Sequence, residues 1–229
     1  MLILKDVTII YADRAVIICR KPSGAVCEAT DGKESMITLI SDKLESGGYV
    51  GLVHRLDQVT EGLMIFSADQ KLTGKLSEAV ASKDTEKEYL AIVHGKPSEP
   101  EGEMRDLLFR DAKKNKSYVV KRARKGVREA LLSYRLLETK ESKYGEVSLV
   151  AIKLSTGRTH QIRVQFASRG MPLVGDGKYG AADNAPSVAL LSHKLTFTHP
   201  TTKRRMTFEI EPAGELPWNI FEYNKKTVD

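Results

Sequence analysis

Cysteine is scarce in this chain: only Cys19 and Cys27 occur among 229 residues, spaced unlike a metal-ligating pair. That excludes a disulfide scaffold and points to two free thiols in a reducing, cytoplasmic compartment. Long apolar runs are missing as well, since none approaches the roughly 18 residues a membrane-spanning helix needs. The opening MLILKDVTIIYAD meets charge at Lys5 and Asp6 without a basic leader, so no signal peptide is expected. There is no GxxxxGK[ST] loop for nucleotide phosphates and no GxSxG elbow, and neither cysteine lies in a nucleophile context. His54, His94, His160, His193 and His199 are scattered without ligand spacing, so the expected metal complement is none. Internal repeats, low-complexity tracts and linkers are absent too, and one domain over residues 1–229 is the simplest expectation.

What is present is ordinary for a globular protein, with 41% hydrophobic and 29% charged residues. The balance of 36 Lys and Arg against 30 Asp and Glu leaves +6, which leans toward a polyanionic partner. The strongest local sign of one is Lys113 to Arg128, with eight basic residues, no acid and Tyr118 in the middle. Such a run suits an arm that tracks a nucleic-acid backbone, with Lys121, Arg122, Arg124 and Lys125 at its centre; its bland alternative is a solvated face.

Along the chain, Val7 to Tyr11 and Ala15 to Cys19 read as strands, followed by a turn at Lys21-Pro22-Ser23-Gly24. Ser35 is placed to cap a helix with Ile37, Ile40 and Leu44 on one face, ending at Gly47-Gly48. Asp69 is the expected cap of a second helix carrying Leu72, Leu76 and Val80. Lys87 to Gly95 reads as a buried strand and Lys96 to Glu103 as a loop. Leu131 to Leu137 and Val147 to Leu154 read as paired strands. Thr159 is then expected to cap a helix that buries Ile162 and Phe166, stops near Gly170 and holds Arg163 near its start. Leu195 and Phe197 alternate against Met206, Phe208 and Ile210 as a hairpin. Gly175 to Gly180 matches GxGxxG letter for letter, yet no βαβ unit surrounds it, so it predicts a tight turn and no nucleotide cofactor.

The stretch Gly51 to Asp69, GLVHRLDQVTEGLMIFSAD, sets His54, Arg55 and Asp57 between two short apolar runs, which places a carboxylate on a turn at a strand end. Alone, RLD reads first as a structural Arg–Asp pair capping a turn. Four pieces taken together, HRLDQVTEGLMIFSAD, KEYLAIVHG, STGRTHQIRVQFASRGMPLVGDGKYG and ALLSHKLTFTHPTT, resemble the RluA-type pseudouridine synthases, which convert uridine in RNA to its C-glycoside isomer. The opening YADRAVIICRKPSG is similar to that family's first segment, so the likeness spans nearly the whole chain.

The resemblance implies Asp57 as catalytic carboxylate, Arg55 as the residue filling the gap left by a flipped base, and Tyr89 as the aromatic stacking on the target uracil. It implies Arg163 as the cation paired with the aspartate and Ile162 as an apolar wall of the pocket; Tyr89 also reads as plain strand core. Glu61 departs from the family's small residue at that position and adds a negative charge near the site. An N-terminal S4 module is not seen, so RNA recognition is expected from the catalytic domain's own basic surface. The implied fold is α+β, a single catalytic domain around a mixed, largely antiparallel sheet with flanking helices and an RNA cleft. The implied activity needs no cofactor, acts on ribosomal or transfer RNA, and is expected of a monomer. Isomerisation consumes and oxidises nothing, which agrees with the missing nucleotide motifs. A ribosome-assembly protein without turnover, and a hydrolase using Glu61 as a second carboxylate, are the competing readings.

Overall fold

A computed structural model describes residues 7–28, 34–44, 48–82 and 84–222 of the chain. Two compact units emerge, Met1–Lys87 with Leu191–Ile210, and Glu88–Leu190 with Glu211–Asp229.

In the first unit, β1 (Thr8–Ala12) and β2 (Val16–Lys21) form an antiparallel pair, and β2 continues against β4 (Glu61–Ser67). The two-residue β3 (Gly51–Leu52) also pairs with β4, which is buried along almost its whole length, as its unbroken apolar run predicts. On its other side β4 meets β10 (Leu190–Thr198) in a short parallel contact, Leu191 opposite Glu61 and Ser192 opposite Gly62. That approach requires glycine: Gly62 has φ +125°, and a Cβ there would collide with the Ser192 backbone. The expected C-terminal hairpin is present, β10 pairing with β11 (Arg205–Glu209) with Leu195 opposite Phe208 and Phe197 opposite Met206. The sheet is therefore mixed and largely antiparallel.

Helix α1 (Met36–Lys43) starts where expected, with Ser35 and Thr38 forming a reciprocal capping box. It ends earlier than predicted, at Lys43, and Gly47 lies outside the described residues. Helix α2 (Thr73–Ala81) buries Leu76 and Val80 against Ala15, Val16, Ile18, Leu63, Ile65, Leu195 and Phe197. Its cap corrects the expectation. Leu72 holds that position without a side-chain bond, and Asp69 instead closes a turn by accepting from the Lys71 amide at 2.7 Å.

The second unit runs β5 (Glu86–His94), β9 (Gly145–Leu154), β8 (Val127–Ser142), β6 (Glu101–Asp111) and β7 (Lys116–Val120), all antiparallel. Strand β6 corrects the loop expected through Glu103. Its fully buried apolar residues, Met104 and Leu108, lie four apart and the rest are polar or half-exposed, so no period of two was there to read. Strand β8 likewise extends well beyond the expected Leu131 to Leu137. Helix α3 (Gln161–Ala167) packs on β6 and β7. Thr159 does not cap it: His160 does, in a left-handed conformation at φ 55°, and without a side-chain bond. The Gly175 to Gly180 segment is a single turn of 3-10 helix, Gly177–Tyr179. No helix among the described residues is long and apolar enough to cross a membrane.

Candidate active site

In the first unit, the connection from β3 to β4, residues 53–60, has no regular structure and carries Arg55 exposed and Asp57 half-buried. An irregular segment would ordinarily sample many conformers, and its fixation here comes from neighbouring residues. The amide of Gly24 donates to the Gln58 carbonyl at 2.8 Å, and the Gln58 side chain returns a bond to the Gly24 carbonyl at 3.0 Å. Ser23 Oγ donates to the Val59 carbonyl at 2.9 Å, and Cys27 Sγ lies 3.2 Å from the Leu56 carbonyl oxygen. The turn read from Lys21-Pro22-Ser23-Gly24 thus serves to clamp the segment that bears Asp57.

The strongest of these fixtures is Lys21, which is fully buried. Its ammonium has three protons and donates to three carbonyls, of Pro22 at 3.1 Å, Gln58 at 2.9 Å and Thr60 at 2.7 Å. Burial pushes its pKa down to about 8, opposed by the negative charge of Cys27, Asp57 and Glu61 when ionised. Lysine is rarely buried, so the sequence carried no sign of this beyond the adjoining turn. At the other end, His54 Nε2 accepts from the Ile65 amide at 3.0 Å, which assigns the ring proton to Nδ1. Burial, with the Lys87 ammonium adding to it, pushes His54 down to about 3, so the ring is neutral and the contact permanent at physiological pH.

Glu61, the departure noted in the sequence, does not stand as an isolated charge. Arg20 Nε donates to its Oε1 at 2.8 Å across the β2–β4 pairing.

The second unit holds the remaining predicted residues. Tyr89 lies on β5 opposite Ile152 and is 7% exposed; Ile162 and Arg163, on the first turn of α3, are each 4% exposed. Arg163 faces Asp176 in a two-pronged ion pair, Nε to Oδ2 at 2.7 Å and Nη2 to Oδ1 at 2.9 Å. Its guanidinium carbon also lies 5.1 Å from the centroid of the Tyr179 ring, three residues beyond Asp176. Asp176 and Tyr179 are functional candidates that the sequence reading does not single out: GDGKYG lies in one of the family-like pieces, but its individual residues are weighed only as a nucleotide motif.

The basic run is built into the sheet edge and is not a free arm. Lys116 to Val120 form β7, and the expected RNA-contacting residues Lys121, Arg122, Arg124 and Lys125 occupy the exposed loop 121–126. Arg124 lies over the Phe109 ring at 4.8 Å, which rests part of that loop on β6. Tyr118 is half-buried, with the Lys116 ammonium 5.8 Å from its ring.

Residues 15–168 match the family model described as RNA pseudouridylate synthase. A protein of Aquifex aeolicus called an uncharacterized RNA pseudouridine synthase is 35% identical over 90% of this chain and 69% of its own length. The dual-specificity RNA pseudouridine synthase RluA of Haemophilus ducreyi is 26% identical over 89% of this chain and 92% of its own. Among solved structures, human RNA pseudouridylate synthase domain containing 1 superposes with a TM-score of 0.77 at 21% identity, covering 93% of this chain and 86% of that one.

Proposed function

We propose that this chain, which belongs to the RNA pseudouridylate synthase family and so to the isomerases, converts particular uridines in ribosomal or transfer RNA through the Asp57 carboxylate. The observation that carries the assignment of Asp57 is the loop around it: an irregular segment clamped through Lys21, Ser23, Gly24 and His54, on which Asp57 lies half-buried. A backbone fixed so thoroughly beneath a half-buried carboxylate serves a reacting group better than a structural one.

The reaction breaks the N1 to C1′ glycosidic bond, turns the uracil and joins C1′ to C5, the C5 proton leaving. Asp57 acts ionised, attacking carbon or taking a ribose proton. Arg163 keeps the role of fixed cation that the family resemblance gives it. Arg55, exposed at the same loop, fills the space vacated when the target nucleotide is extruded, a step costing a few kcal/mol. Tyr89 offers a ring for the detached base, worth roughly 1 to 3 kcal/mol in stacking, and Ile162 an apolar wall. Lys121, Arg122, Arg124 and Lys125 contribute phosphate contacts. The enzyme works as a cytoplasmic monomer without cofactor.

The test is release of tritium from RNA labelled at uridine C5. Wild type releases label; Asp57→Asn releases none while binding the RNA as well as before. Binding without release by wild type would leave an assembly factor, and free uracil in solution would mark a hydrolase. The hydrolase outcome is disfavoured by Glu61, the carboxylate such chemistry would recruit, because Arg20 already holds it.

A further inference from the structure

Resting on the reading above, we infer that Asp176 and Tyr179 are positioning residues whose task is to hold the Arg163 guanidinium in one orientation. A guanidinium at the end of three methylenes ordinarily spends much of its time among rotamers, and a cation meant to act in one direction must be stopped from doing so. Two independent fixtures meet on this one. The Asp176 carboxylate, 1% exposed, takes Nε and Nη2 together, which fixes the plane of the fork and therefore the direction of its remaining edge. The Tyr179 ring then lies 5.1 Å from the guanidinium carbon.

Tyr179 is itself tethered. Its hydroxyl oxygen accepts the Ser117 amide at 2.8 Å and lies 2.8 Å from His160 Nδ1, the residue that opens α3. An amide can only donate, so the phenol oxygen accepts there. Ser117 Oγ donates to the Thr159 carbonyl at 2.6 Å, tying β7 to the same turn. The ring packs beside Leu108, Ala130 and Val164. Asp176 is placed by Gly175, at φ +81°, where a Cβ would collide with the Ser187 carbonyl. The segment that resembles a phosphate loop is thus a bracket for an arginine.

Steady-state tritium release by wild type, Tyr179→Phe, Asp176→Asn and Asp176→Glu, each with its thermal midpoint, tests this. Tyr179→Phe keeps the ring and loses only the tether, so kcat falls about fivefold with KM within twofold, and the midpoint drops by a few degrees because the Ser117 amide loses its acceptor. Asp176→Asn lowers kcat by roughly fiftyfold or more, and Asp176→Glu recovers part of it. In an Arg163→Met background both substitutions cost nothing further in kcat, because they act through Arg163. Were kcat of both to stay within twofold of wild type, or their losses to add to that of Arg163→Met, the bracket would be merely structural. Absence of release by wild type would overturn the isomerase reading, and this inference with it.

Discussion

The Asp57 loop and the Arg163 helix each present one charged group, and they secure it by opposite means. Around Asp57 the main chain is clamped: Gln58, Val59, Thr60 and Leu56 offer their carbonyls to Gly24, Ser23, Lys21 and Cys27, and Asp57 itself is half-buried. Around Arg163 the clamps are on the side chain, which is nearly enclosed by Asp176 and Tyr179. The difference follows from what each group can tolerate. A carboxylate sealed away with no cation beside it would be neutralised by desolvation, whereas Arg163 and Asp176 stay charged when buried because they are buried together.

The comparison breaks most readily at Lys21. Changing it to Met removes three bonds from a charged donor, leaves the Thr60 carbonyl without its donor while Gln58 and Pro22 keep the Gly24 and Ala25 amides, and lowers unfolding stability by roughly 3 kcal/mol, measured by urea denaturation. The pH dependence of that difference has a definite sign. The folded pKa is about 8 against a reference of 10.5, so between those values the unfolded chain binds a proton that the folded chain has shed. Wild-type stability therefore rises with pH through that window, by up to about 1.4 kcal/mol per pH unit, while Lys21→Met lacks the rise. A flat difference from pH 8 to 10.5 would mean that Lys21 stays protonated in its carbonyl cage.

A milder loss is expected at the sheet edge. Replacing Lys121, Arg122, Arg124 and Lys125 together by Ser weakens RNA binding and flattens the dependence of log affinity on log salt by up to about 3. An unchanged slope would return loop 121–126 to an ordinary solvated surface. The smallest effect is predicted for Glu61→Ser. Its ion pair with Arg20 is partly exposed, so stability should move by less than about 1 kcal/mol and tritium release by less than about threefold.

These cases also mark where sequence patterns are informative. Strand β4 was legible as a short unbroken apolar run and the hairpin of β10 with β11 by the alternation of its apolar residues. Strand β6 was not, since Met104 and Leu108 sit at a helix-like interval. The helix caps failed at Asp69 and Thr159 because a polar residue near a helix start also suits a turn, and local chain geometry chose the turn. At the site, the motif letters pointed to Asp57 and Arg163, while Lys21, Asp176 and Tyr179 escaped notice. Their roles depend on contacts between residues 13 to 62 positions apart, which no local pattern encodes.

The central claim, that Asp57 makes this chain an RNA isomerase, is tested most directly by mapping pseudouridine across total RNA from cells with and without its gene. One or more pseudouridines should vanish on deletion, return when wild type is supplied, and stay absent with Asp57→Asn. An identical map in both cells, or full restoration by the asparagine variant, would contradict the account.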